Sequence, residues 1–302
     1  MKLIESKAEY IPQEEGLEGI YKIIELAGRT AYHSLDKITA DSAKDFVDRM
    51  IKSHHGACLE HGTVYLKVPV EIYREDEHEW SYMFPEELPW VSLDCDGKYW
   101  YVTTNFRHIL EGNVGVETMN EYLCSPTESH EKRYTMRFTC SRGISHELVR
   151  SRTMSFLQES QRYINYSKER HGGEITFIKP SWLNTEGKRK ECLLRGDWQA
   201  EDWNYAEDIF LEQLDDTESI YFALLDNGYS PQQARDVLPN ATKTELIMTG
   251  FSSDWRFLMD LRLFEKTGKV HPDMLDLMQK AQKAMQEAGI WEDIMSKPSK
   301  FD

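Results

Sequence analysis

SHELVRSRTMSFLQESQR, from Ser145 to Arg162, sets three guanidinium groups (Arg150, Arg152, Arg162) among five hydroxyls, two amides and the carboxylates Glu147 and Glu159. The residues before it, KRYTMRFTC over 132–140, alternate as a strand does. Arg142-Gly143 turns the chain, and Ser145–Arg150 has the character of a helix. A strand feeding a helix that carries an arginine cluster makes this stretch the centre of a mixed α and β fold, with a polar pocket where the two meet.

Outward from there, helical spacing recurs on both sides. Leu17, Ile20, Ile23, Ile24, Ala27 and Ala31 predict a helix within 13–33. Asp41-Ser42 opens a second, which ends near His54-His55-Gly56 with Gly56 suited to a left-handed cap. HGTVYLKVPV, 61–70, reads as a strand. Residues 71–131 read as an insertion with short helices and a hairpin around Asp94–Gly97, and 290–302 as a tail. Beyond the cluster come a short strand at 174–179 and an acidic helix at 202–227, with Trp203, Ile209, Phe210, Ile220, Leu224 and Leu225 inward. A short helix follows, opened by Ser230-Pro231-Gln232-Gln233 with capping-box spacing. Further helices are expected at about 253–264 and 272–288, the last with Met274, Leu277, Ala281 and Met285 as its stripe. The expected fold class is α+β, loosely α/β: a small β-sheet flanked by helices, in a single domain over 1–302 that carries the 71–131 insertion.

The whole chain carries a formal charge of -16, which argues against general binding to DNA or RNA. Against that background, Lys132 to Arg170 holds nine basic residues (132, 133, 137, 142, 150, 152, 162, 168, 170) and three acids (147, 159, 169). A surface arginine usually ends in a weak ion pair. A cluster that runs against the global charge, beside hydroxyls and amides, reads instead as a pocket for a phosphorylated small molecule, because the guanidinium fork matches phosphate. Five cysteines spread singly, with no CxxC, fit a reduced interior, and no run approaches a membrane span, so a cytoplasmic location is expected.

Other candidates are Arg235 in QARDVLP and Arg262, seven residues past Trp255. His54, His55 and His61 with Glu60 lack the spacing of a metal site, so no metal is expected and a histidine here reads as a hydrogen-bond donor near an anion pocket. Ser160 has no histidine nearby and no GxSxG elbow, which favours a phosphate-binding hydroxyl over a nucleophile. No GxGxxG or GxxxxGK[ST] occurs, so a Rossmann domain or a P-loop is not expected.

Arg150-Ser151-Arg152, seven residues, Ser160, one residue, Arg162 resembles the RHR-x7-S-x-R motif of the flavin-dependent thymidylate synthases. RGISHELVRSR, QESQRY, NYS and QARDVLP resemble the same family in the same order, as do AGRTAYHS and HHGACLEH upstream; together they cover about two thirds of the chain. The resemblance implies a homotetramer with active sites shared between subunits, FAD as cofactor, and conversion of dUMP to dTMP. It also implies methylenetetrahydrofolate as the carbon donor and NADPH as the source of reducing equivalents, with hydride passing from reduced flavin to the uracil ring and no enzyme nucleophile. By the same resemblance Glu147, Arg150, Gln158, Ser160, Arg162, Arg235 and Arg262 would contact the nucleotide, with Arg262 polarising the uracil in the catalytic role. His55, Arg150, Ser151 and Arg152 would lie on the flavin side.

Three departures fall on that flavin side. The middle His of RHR is Ser151, the Asn of a TGN block is Phe251, and WRHF reads Trp255-Arg256-Phe257-Leu258. Two other readings stand beside the first: a paralogue modifying C5 of a pyrimidine nucleotide by another route, and a non-catalytic protein that binds dUMP or a related nucleotide.

Overall fold

The strand expected at 132–140 runs Arg133–Ser141 and lies inside a four-stranded antiparallel sheet in the computed structural model, which describes residues 1–75, 84, 88–112, 114–162, 164–168, 172–183 and 205–301. In chain order the strands are β1 (Lys2–Ile4), β2 (Lys7–Ile11), β3 (Thr63–Pro69), β4 (Ser92–Cys95), β5 (Tyr99–Asn105), β6 (Arg133–Ser141), β7 (Ser155–Gln158), β8 (Thr176–Ile178) and β9 (Lys243–Phe251). The helices are α1 (Gly16–Ala31), α2 (Ser42–Lys52), α3 (Gly56–Leu59), α4 (Val70–Glu75), α5 (Phe106–Glu111), α6 (Val116–Tyr122) and α7 (Arg142–Leu148). They continue with α8 (Ala206–Asp226), α9 (Pro231–Ala234), α10 (Ser252–Arg262), α11 (Pro272–Glu287) and α12 (Trp291–Ser296). The class is α+β, as expected.

The central sheet has the order β2-β6-β9-β7. Its register explains which face is oily. Met136 lies opposite Met248 and Phe138 opposite Leu246, and all four are buried against Trp255, Leu277, Met278, Ala281 and Met285 of α10 and α11. The alternate positions put Thr135 opposite Thr249, which turns buried hydroxyls toward the other face. Period-two alternation thus gives one sheet an apolar side and a polar side, both covered. Burying each large side chain of the apolar face contributes about 1.5–3 kcal/mol.

A second sheet, β3-β5-β4, is antiparallel, and β1 pairs with β8 in parallel. Described parts of 71–131, the segment expected to be an insertion, pack into a second core. Val102, Phe106, Ile109 and Met119 pack in one cluster with Ile20 and Ile24 of α1, Val47 of α2 and Val64, Leu66 and Val68 of β3. The 290–302 tail is packed down at its start. Ile290 and Ile294 are buried in the main core, and the Tyr134 hydroxyl donates to Asp293 at 2.8 Å.

Two local readings also change. The left-handed residue after α2 is His54 (φ 56), while Gly56 begins α3. Along α8 the fully inward positions are Leu214, Thr217 and Tyr221, with the expected Phe210, Leu224 and Leu225 packed against that cluster, whereas Ile220 is 49% exposed. Trp203 lies outside the described residues. The capping box at Ser230 is present, with the Ser230 N–H donating to Gln233 Oε1 at 3.0 Å and Pro231 opening α9.

Candidate functional site

The Arg-rich stretch becomes α7, a turn, strand β7 and a loop at one end of the central sheet. Gln158 closes β7 opposite Leu246, and its side-chain amide donates to Ser145 Oγ at 2.7 Å and Thr244 Oγ1 at 3.2 Å. Ser145 in turn donates to the Arg142 carbonyl at 2.8 Å. These bonds tie α7, β7 and β9 together through side chains, so the amide of Gln158 has a fixed position.

Past β7 the ladder continues for one more residue, with the Glu159 N–H donating to the Glu245 carbonyl at 2.8 Å. The Ser160 N–H then reaches the Ala31 carbonyl at the end of α1, at 3.1 Å, and the Arg162 N–H donates to Ser160 Oγ at 3.3 Å. Glu159 is 5% exposed and is the carboxylate on which this loop turns. It accepts from Lys243 Nζ at 3.2 Å and from the Glu245 N–H at 3.1 Å, and His33 Nε2 lies 3.6 Å away. Burial opposes the charge on Lys243, but Glu159 and Glu245 outweigh it and hold the ammonium above its ordinary pKa. A buried carboxylate needs such partners. Arg162 itself is exposed at the rim.

Arg235 follows α9 and is half-buried. Arg262 ends α10, and its Nη1 pairs with Glu147 Oε2 at 3.1 Å, joining residues from two separate blocks of the sequence. Glu147 also lines a cavity of about 320 Å³ with Trp182, Phe210, Asn240 and His271.

Arg152 lies elsewhere. It borders a cavity of about 290 Å³ with Glu60, Trp90, Arg107, His108 and Ser155, and so meets residues of the 71–131 segment. Arg150 and Ser151 occupy the turn after α7, with Arg150 exposed. His55 Nδ1 lies 2.8 Å from the Tyr32 hydroxyl, and the two rings stack. His61 is fully buried, 2.8 Å from Thr249 Oγ1, and burial followed by the Arg133 charge pushes its pKa down to about 3. Among the described residues no group of histidine, cysteine and acid side chains could hold a metal ion.

The departures on the flavin side are absorbed by packing. Phe251 is buried beneath the Arg133 guanidinium, which lies 5.6 Å from its ring centre. Phe257 stacks on Phe301, with ring planes 7° apart. Glu159, Lys243, Arg142 and Arg107 were not singled out in the sequence. The available signal was the charge alternation Lys243-Thr244-Glu245 on a strand, which marks one face only when the partner strand is known.

Residues 119–288 match the family model described as thymidylate synthase complementing protein, more than half of the chain. The chain belongs to that family. The family match begins inside the segment read as an insertion, at Met119, whose side chain is fully buried. Among curated relatives, flavin-dependent thymidylate synthase of Corynebacterium efficiens is 35% identical over 126 residues, 41% of this chain and 47% of that one. The Pyrococcus furiosus protein of the same name is 30% identical over 186 residues, 60% and 67% of the two chains. The chain thus spans about half the length of the first of these relatives. Solved structures include a UMP/dUMP methylase, PolB, from Streptomyces cacaoi with 5-Br dUMP, at TM-score 0.44 and 15% identity over 98% of this chain and 97% of that one. Another is Thymidylate Synthase X from Helicobacter pylori with FAD and dUMP, at TM-score 0.36 and 15% identity over 97% and 99%. Among the described residues no helix is long and apolar enough to cross a membrane.

Proposed function

We propose that this protein is a flavin-dependent thymidylate synthase, converting dUMP to dTMP with methylenetetrahydrofolate as carbon donor and NADPH as the ultimate reductant. The observation that carries the reading is the fixed loop 158–162 in a chain of this family. Gln158 is held by Ser145, Ser160 by the Ala31 carbonyl and the Arg162 N–H by Ser160 Oγ, without drawing the Arg162 side chain into the interior. In this reading Ser160, Arg162 and Arg235 bind the phosphate, and Gln158 and Arg150 contact the nucleotide beside them. Arg262 polarises the uracil where negative charge develops, and Glu147 holds that guanidinium in place. The active unit is a homotetramer that shares its sites between subunits.

The donor set fits FAD at its phosphates. Arg150 and Arg152 are exposed guanidinium groups, and Arg152 opens on a cavity with Arg107 and Ser155. They would hold the pyrophosphate, with Ser151 beside them and His55 against the ring and the folate route. Bound flavin supplies the reducing equivalents. Phe251 and Phe257 offer it no polar group, which favours a second reading: a C5-modifying enzyme on the same nucleotide with another reductant arrangement.

The test is the visible spectrum of the purified protein before and after FAD and dUMP, followed by mass spectrometry of a reaction with NADPH and methylenetetrahydrofolate. A yellow protein that forms dTMP is expected. A colourless protein with no dTMP overturns the reading, and a different nucleotide product selects the second.

A further inference from the structure

Arg142 lies outside every residue assigned above, yet its surroundings demand a ligand. It is the first residue of α7 and is locked to the segment that follows Arg235. Its N–H donates to the Thr242 carbonyl at 3.0 Å, and the Gly143 N–H donates to the Asn240 carbonyl at 3.1 Å. The side chain is half-buried, and its Nη1 is sealed from solvent with no hydrogen-bond partner among the described residues. Burial works against its charge, Tyr166 and Glu159 support it, and Arg235 is near enough to work against it again. Glu159 does not neutralise the pair, because its oxygens already serve Lys243 and the Glu245 N–H. Buried donors left unpaired are costly, more so on a charged group, and two like charges drawn together make the cost greater.

An anion among these donors removes the cost. We propose that Arg142 is a second phosphate-binding guanidinium, gripping with Arg235 the phosphate of the same nucleotide. This rests on the nucleotide reading above and extends it by one residue. Two planar forks suit the three oxygens of a phosphate monoester, where a lone fork engages two. Arg235 is held for the task by the capped turn behind it, in which Ser230 Oγ donates to Gln233 Oε1 at 2.7 Å. A monoester carries the double charge that two guanidinium groups balance, so a nucleoside without phosphate gains nothing from Arg142.

The experiment measures equilibrium binding of dUMP, deoxyuridine and inorganic phosphate to the full chain, to Arg142→Lys and to Arg142→Ala, at one ionic strength. Ligand-free melting curves establish that each variant is folded. Arg142→Ala is expected to weaken dUMP about tenfold or more while leaving deoxyuridine unchanged. Arg142→Lys, which keeps the charge and loses the fork, falls between, and it carries the test if the alanine variant does not fold. An unchanged dUMP affinity in both variants, or equal losses for dUMP and deoxyuridine, overturns the proposal while the nucleotide reading stands. If the parent chain binds inorganic phosphate through Arg142 but not dUMP, the anion site stands and the nucleotide reading falls. Binding of neither removes both.

Discussion

His61 shows how a single buried side chain sets the acid limit of the molecule. Its ring has no route to water, and its Nδ1 shares a short chain of contacts with Thr249 Oγ1 and Thr135 Oγ1, at 2.8 Å each. The guanidinium of Arg133, also fully buried, stands nearby and is itself pushed down to about 10 by burial. The folded protein therefore keeps His61 neutral until about pH 3, whereas the unfolded chain protonates it near the ordinary 6.5. Between those values the unfolded state binds the extra proton. The stability this neutral ring contributes is present above pH 6.5 and is lost as pH falls toward 3. At pH 5 the loss is about 2 kcal/mol from this group alone. His61→Gln, which keeps an acceptor for Thr249, is expected to flatten the decline in urea-derived stability between pH 7 and 5. The slopes decide, because the variant also shifts the intercept. Parallel slopes for variant and parent would remove His61 as the cause.

At the scale of elements, the contact between α1 and α2 turns on an absent side chain. Gly28 sits in the middle of α1, where alanine has the better helix propensity by about 1 kcal/mol. A Cβ there would overlap the Phe46 ring of α2 and crowd Cys58 Sγ at 3.3 Å. The ring has little room to retreat, since Arg29 and Arg49 both lie over it. Overpacking costs about 1–3 kcal/mol, so Gly28→Ala is expected to destabilise by about 1 kcal/mol net in spite of its propensity. A rise in melting temperature would contradict this. The helices were legible in sequence because their stripes are long: Met274, Leu277, Ala281 and Met285 repeat over about three turns and are all fully buried. Strands β1, β2, β7 and β9 were not. β7 has four residues inside a stretch dominated by arginines and hydroxyls, and its pairing with β9 joins residues some ninety apart, which no local pattern reports. The residues proposed to face the nucleotide were picked out by their motif, whereas Glu159 and Arg142 acquire meaning only when β7, β9 and α7 meet. The 71–131 segment lacked a clear pattern for a related reason: its apolar residues form their cluster together with those of α1 and β3.

For the whole molecule, the arginines named in sequence reach three places within one chain. Arg162 and Arg235 lie toward the Glu159 end of the sheet, Arg262 is paired with Glu147, and Arg152 faces the cavity with Arg107. No described cavity is lined by both Arg152 and any residue expected to hold the phosphate. Under the proposed function, hydride transfer from flavin to a pyrimidine needs both groups in one site, and the proposed homotetramer would supply that by placing one subunit's Arg152 beside another's Arg262. This geometry makes a definite demand on mixed assemblies. Arg152→Ala and Arg262→Ala should each abolish turnover alone. Co-refolded in equal amounts, they should recover about a quarter of parental activity, because a junction that takes its Arg152 from one variant and its Arg262 from the other is intact one time in four. Sites built within single chains cannot be rescued this way, so a mixture as inactive as its components would place both arginines in the same subunit's site and remove the shared junction.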